Sequence, residues 1–121
     1  MDEDSKQLLR ARCWERLERS GHARWPGTRG RIPNFVGAEQ AATLLAATPE
    51  FCAARTIKCN PDTPQRALRY AALRAGKMVY VAVPRLTGSH PFLSLDPQAL
   101  PPHLLWDASA KLGAARWGVP I

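Results

Sequence analysis

Lys6, Arg10 and Trp14 recur at every fourth residue near the start of the chain. On a helix that spacing stacks all three on one face. Two cations above an indole suit a ligand that carries both an anion and a ring, because the cations hold the charge and the indole stacks the plane. The same pattern also describes two solvated charges beside a half-buried tryptophan. Around them, Arg10, Arg12, Arg16, Arg19, Arg24, Arg29 and Arg31 face only Glu15 and Glu18, and the whole chain carries 17 basic against 10 acidic residues for a net charge of +7. A cluster of this kind attracts polyanions: nucleotide phosphates, a polyglutamate tail or a nucleic-acid backbone. A solvated arginine-rich helix face accounts for it equally well.

Other chemistry is harder to find. Cys13, Cys52, Cys59, His22, His90 and His103 are scattered, so no metal-ligand spacing appears. The cysteines read as reduced, small apolar residues. Gly113 and Gly118 have the spacing of a phosphate loop, but Val119 and Pro120 stand where that loop requires a lysine and a hydroxyl residue. No dinucleotide fingerprint occurs, and no serine or threonine sits in a nucleophile elbow. Asp62, Asp96 and Asp107 are isolated, each with a turn or cap role available. The residues alone therefore spell out no catalytic constellation.

The basic stripe needs a helix beneath it, expected from Asp4 or Ser5 to Ser20 with Gly21 as left-handed terminator. Leu9, Cys13 and Leu17 would form its buried stripe. A loop from His22 to Gly30 leads to Ile32, which Pro33 holds extended. Ala38 to Ala47 reads as a helix, and Thr48-Pro49-Glu50 caps a short one through Ala54. A strand–helix–strand unit follows. Thr56 to Cys59 is the first strand, Thr63 caps a helix from Gln65 to Ala75, Gly76 stops it, and Met78 to Val83 is an apolar strand. Leu68, Ala71, Ala72 and Ala75 should face the sheet, with Arg66, Arg69 and Arg74 outside. An apolar run without alternation is the habit of parallel sheets covered on both faces, joined by right-handed crossovers. Pro84-Arg85-Leu86 leaves the second strand at its carboxyl end, the edge where open α/β sheets bind ligands.

Phe92 to Leu95 reads as a third strand, His103 to Leu112 as a helix, and Gly118 to Ile121 as entry to a strand that does not arrive. The expectation is one domain or part of one, with a parallel sheet short of strands. Its open edge and uncovered apolar face would call for a partner chain supplying the missing strands. Met78 to Val83 is the longest apolar run, far short of a membrane span, and residues 1–20 lack the apolar stretch of a signal peptide. A soluble, cytoplasmic protein without membrane association is expected.

Taken in order, a set of motifs looks familiar: Ser5-Lys6-Gln7 with Arg10 and Trp14, Arg31-Ile32-Pro33-Asn34-Phe35, Asn60-Pro61-Asp62 with Pro64, Gly76-Lys77, and Pro84-Arg85-Leu86. Together they resemble the amino-terminal half of the 5-formyltetrahydrofolate cyclo-ligase (methenyltetrahydrofolate synthetase) family, in particular its methenyltetrahydrofolate synthase domain-containing branch. The resemblance runs from about Ser5 to Ile121 and makes residues 1–121 the amino-terminal portion of a cyclo-ligase-like domain. It implies a partial three-layer parallel α/β sheet of the isomerase/CoA-transferase-like type, truncated before the carboxyl-terminal half. It also implies an ATP- and magnesium-dependent reaction, in which the formyl oxygen of 5-formyltetrahydrofolate is phosphorylated and ring closure expels phosphate. By the same resemblance Lys6 and Arg10 contact ATP phosphates, and Pro84 and Arg85 lie near a pterin-like substrate. Lys58 stands where the family's folate-holding glutamate falls, and the family's glycine-rich phosphate loop lies past Ile121. The implied chain is inactive alone. Two other readings stay open: an RNA- or polyanion-binding module resting on the Arg10–Arg31 stretch with Trp14 and Trp25, and a remnant without function.

Overall fold

The computed structural model describes residues 2–83 and 88–121. Helix α1 (Glu3–Ser20) begins where the Asp2 carboxylate accepts the backbone N–H of Ser5 at 2.7 Å. That bond, together with the Ser5 hydroxyl, holds the Asp2 carboxyl below the ordinary carboxylate range. The helix ends at Gly21, whose φ of 76° is the left-handed stop. The expected buried stripe does not form. No residue of α1 is buried, Leu9 is 50% exposed and Cys13 is exposed.

Helix α2 (Ala38–Ala46) follows a looped segment, and Thr48 caps the short α3 (Pro49–Ala53) by accepting the Phe51 N–H, as its Thr-Pro-Glu start predicts. Strand β1 (Thr56–Cys59) leads into a 3₁₀ turn (Thr63–Gln65) and α4 (Arg66–Arg74). The cap here is Asp62, not Thr63: its carboxylate accepts the Gln65 backbone N–H at 3.2 Å and the Gln65 side-chain amide at 3.1 Å. Strand β2 (Met78–Ala82) returns beside β1 in parallel, so the strand–helix–strand unit stands as read.

Beyond it the sheet is not parallel. Strand β3 (Phe92–Leu95) pairs antiparallel with β2, and β4 (Val119–Pro120) pairs antiparallel with β3, giving one mixed four-stranded sheet in the order β1-β2-β3-β4. The reason lies in the connection. A parallel return needs a dozen or more residues, generally including a helix, and residues 83–91 are too few. The strand entry at Val119 does arrive, as a two-residue edge. The expected helix from His103 is broken into a 3₁₀ turn (Pro102–Leu104), α5 (Leu105–Ala108) and α6 (Lys111–Trp117).

The core draws on one face of the sheet. Ile57, Val79, Val81 and Leu95 meet Phe51, Leu73, Leu105, Ala108 and Ala114 from the helices. Burying each larger aliphatic chain here contributes roughly 1.5–3 kcal/mol. On the opposite face Thr56, Lys58 and Val119 are exposed, while Met78, Tyr80, Phe92 and Ser94 are half-buried. An apolar run is thus compatible with one sealed face and one graded face. Arg69 is the clearest departure inside α4: expected outside, it is 1% exposed, while Ala75, expected against the sheet, is exposed.

Candidate anion-binding site

The Arg-Ile-Pro-Asn-Phe stretch sits at the junction of three cavities. Its loop is folded back on itself: Arg24 N–H donates to Asn34 O at 3.1 Å, Val36 N–H donates to His22 O at 2.7 Å, and Ala23 bridges Phe35. Thr28 clamps the loop to α1. Its backbone N–H donates to Glu18 Oε1 at 3.1 Å, and its hydroxyl lies 3.1 Å from that same oxygen and 3.3 Å from Trp14 O. Gly27, at φ +106°, passes so close to Glu18 that a Cβ would stand 3.2 Å from Oε1. Arg24 is paired with Glu39 of α2 at 3.5 Å. The loop is therefore held by polar contacts, with Trp25 left 92% exposed.

The first cavity, about 790 Å³, lies between α1 and the loop and is lined by Glu3, Gln7, Arg10, Trp14 and Arg31 among others. The structure brings Arg10 and Trp14 together there, as their spacing predicts, and adds Arg31 from across the loop. Lys6, one turn earlier, is exposed and does not line it. The Arg10 guanidinium already has a partner, Glu3 Oε1 at 3.1 Å. An exposed pair like this contributes little, so a polyphosphate can displace the carboxylate.

The second cavity, about 540 Å³, is walled by Trp25, Arg31, Ile32 and Asn34 of the loop, by Pro61 to Thr63 after β1, by Arg66 and Arg69 of α4, and by Ala110 and Lys111 at the start of α6. A third, about 320 Å³, shares Ile32, Pro61, Asp62 and Lys111 with it and reaches Ala82 and Val83 at the end of β2. These two cavities occupy the carboxyl edge of the parallel β1–β2 pair, the side on which open α/β sheets place ligands. Pro84 and Arg85, expected near a pterin-like substrate at this edge, lie outside the described residues.

Two of the four cations in the second cavity are committed to holding it together. Arg69 donates Nε to Ser109 O at 2.7 Å and one terminal nitrogen to Asn60 O at 2.5 Å, tying the β1–α4 turn to the α5–α6 turn. Burial pushes its guanidinium below the usual arginine range, against the pull of Cys59 and Asp62. Arg66 donates to Ser109 Oγ at 3.2 Å and to Trp106 O at 2.8 Å, with its guanidinium 3.8 Å from the Trp106 ring centre. Neither arginine is marked by local sequence, since each is fixed in part by Ser109, some forty residues away. Burial also pushes the Cys59 thiol up, as for a small apolar residue beneath the site.

The comparisons with known proteins fit the motif order. The chain is 40% identical to a methenyltetrahydrofolate synthase domain-containing protein of Mus musculus over 119 residues, 97% of this chain and 32% of that protein. Proteins of the same name from Bos taurus and Danio rerio are 35% and 30% identical over the same length. The chain is a relative of the methenyltetrahydrofolate synthase domain-containing proteins. It spans about a third of the length of the curated relatives it matches. No family model and no solved structure matches it. Among the described residues no helix is long and apolar enough to cross a membrane, and no three of His, Cys, Asp and Glu gather where they could hold a metal.

Proposed function

We propose that this chain is the amino-terminal, nucleotide-gripping portion of a 5-formyltetrahydrofolate cyclo-ligase-like protein, and that it does not turn over 5-formyltetrahydrofolate alone. The observation that carries the reading is the cavity where Arg10, Trp14 and Arg31 converge. Its two arginines and indole match the demands of a nucleoside triphosphate, with Lys6 one turn away to extend the grip along the phosphates. The residues present fit ATP in this sense. Bound ATP would supply the phosphoryl group, and fixed cations beside a transferring phosphate stabilise the charge that develops on it. They do not fit magnesium, for which the described residues gather no carboxylate set, so no step is assigned to the metal. The substrate belongs at the carboxyl edge of β1 and β2, near Pro84 and Arg85. A three-layer arrangement of the isomerase/CoA-transferase-like kind would require more polypeptide, from this or a partner chain, over the graded face of the sheet. A cytoplasmic setting suits folate chemistry.

The test has two arms. Purified chain with ATP, magnesium and 5-formyltetrahydrofolate is expected to show no methenyltetrahydrofolate absorbance; turnover abolished by Lys6→Ala would overturn the claim of inactivity. Calorimetry with ATP is expected to show binding weakened about tenfold by Arg10→Ala, a loss of about 1.4 kcal/mol. Exposed Arg12, Arg16 and Arg29 favour a second reading, an RNA- or polyanion-binding surface. RNA binding equal to ATP binding, indifferent to Arg10→Ala and falling steeply with salt, would favour that reading instead.

A further inference from the structure

We infer that the face shared by α4 and α5 is a docking surface for a short acidic segment of a partner protein, one that sets a carboxylate beside an apolar or proline side chain. Tyr70, Arg74 and Trp106 carry it, and none of them lines the α1 cavity or the two cavities at the sheet edge. The inference is therefore independent of the ATP reading.

The surface is built before any partner arrives. Arg66, Tyr70 and Arg74 recur every fourth residue along α4, and Trp106 of α5 closes against them. The Arg66 guanidinium lies 3.8 Å from the Trp106 ring centre while it donates to Trp106 O at 2.8 Å. Tyr70 meets the same indole edge-on, with ring centres 5.1 Å apart and planes at 80°. Arg74 stands 5.5 Å from the Tyr70 ring centre. Cation, indole, phenol and cation form one ladder, and the indole is still 49% exposed. Arg, Trp and Tyr are the side chains that concentrate binding energy at protein interfaces, and anchors already held lose little freedom on association.

Charge and shape narrow the partner. Beside the ladder lies a groove of about 380 Å³, where Tyr70, Leu73 and Leu105 supply apolar surface, Pro97 and Pro102 add rings, and Arg74 stands at one wall. Among the described residues no carboxylate lines this groove, and Arg74 has no acidic partner. Asp107, next to Trp106, is occupied by Arg116 and the Trp117 indole N–H. An unpaired cation over an apolar groove, on a chain of net charge +7, complements an acidic segment. Arg66 to Arg74 spans about 12 Å of helix, longer than a one-ring acid needs. A trough of proline and tyrosine rings suits an extended peptide. A nucleic-acid strand asks for a row of free cations, whereas Arg66 is already engaged.

Panning a random dodecapeptide phage library on the intact chain should enrich peptides that set Asp or Glu beside Leu, Phe or Pro. The most enriched of these, synthesised with a fluorescein label, is the probe for anisotropy titrations. Arg74 is exposed at the last position of α4, so Arg74→Glu should fold, as checked by circular dichroism, and weaken the probe about tenfold or more. Replacing the probe's acids by glutamine should weaken it by a similar factor. Trp106→Leu should weaken it about fivefold. Arg16→Glu, the same change of net charge placed on α1, should leave it within about twofold. The inference is overturned if no peptide is enriched, if neither Arg74→Glu nor Trp106→Leu weakens the probe, or if Arg16→Glu weakens it as much as Arg74→Glu. The last outcome would mean attraction by net charge alone. Poly(U) that competes with the probe and is itself lost with Arg74→Glu would make this a nucleic-acid surface and overturn the inference as well.

Discussion

The cations that wall the site come from two differently built regions. Residues 3–37 contain α1 and the looped segment, and no residue of α1 is buried, with Leu8 and Leu9 54% and 50% exposed. Residues 49–118 hold Ala72, Val79, Leu95 and Ala108 at 0% exposure. One region is held by packing, the other by a few polar clamps such as Thr28 on Glu18. Local opening free energies follow buried apolar contact, so the first region should open far more readily than the second. The contrast assigns roles: the packed region fixes the floor of the second cavity at Pro61, Arg66 and Lys111, and the clamped region delivers Arg31 and Trp25 to it.

The packed region should fail at its tightest point. Gly113 lies inside α6, where alanine is ordinarily better than glycine by about 1 kcal/mol. Here an added Cβ would stand 1.7 Å from Asp107 O and 3.2 Å from Ala108 N, both backbone atoms that cannot yield without moving α5. Gly113→Ala should therefore lower stability by on the order of 4 kcal/mol in chemical denaturation. A stabilised variant would show that α5 and α6 are loosely apposed and erase the contrast between the regions.

Arg69 probes the same region with a smaller effect. Arg69→Met keeps the apolar stem but strips Ser109 O, Asn60 O and Pro61 O of their shared donor. Leaving the buried Ser109 O and the part-buried Asn60 O and Pro61 O without that donor should cost about 3 kcal/mol. A change under about 0.5 kcal/mol would mean that water reaches these carbonyls and that the floor of the cavity is wet rather than fixed.

What was legible in the sequence follows the same division. The β1–α4–β2 unit could be read because its signals are local: Gly76 stops the helix, and β2 is rich in Val and Tyr. The strand direction of the remaining sheet could not. Val79 and Val81 face the core while Met78 and Tyr80 sit half-buried opposite, so β2 looks alike whether one face or both are sealed. Arg69 was misplaced because a helical stripe cannot show that Asn60 O and Ser109 O await a guanidinium on the sheet side. At the site, Arg10 and Trp14 were legible from a four-residue spacing. The grouping of Arg31, Asn34, Arg66 and Lys111 was not, since it depends on where a loop and two separate helices meet. The Arg-Ile-Pro-Asn-Phe motif was the one local signal that pointed there.

The smallest effect is the most informative about the clamped region. Thr28 is 1% exposed, and its hydroxyl shares Glu18 Oε1 with its own backbone N–H. Thr28→Val keeps the shape and removes the hydroxyl, a loss of about 1 kcal/mol confined to the loop. The global denaturation midpoint should scarcely move, because the core does not include this segment. Trypsin cleavage after Arg29 and Arg31 should rise about fivefold, since proteolysis of a locally opened segment tracks its opening free energy. A global loss as large as that of Arg69→Met, with cleavage unchanged, would show that the loop and the packed helices open as one unit. Arg31 would then be as rigidly placed as Lys111, and ligand binding could no longer be tuned through the loop alone.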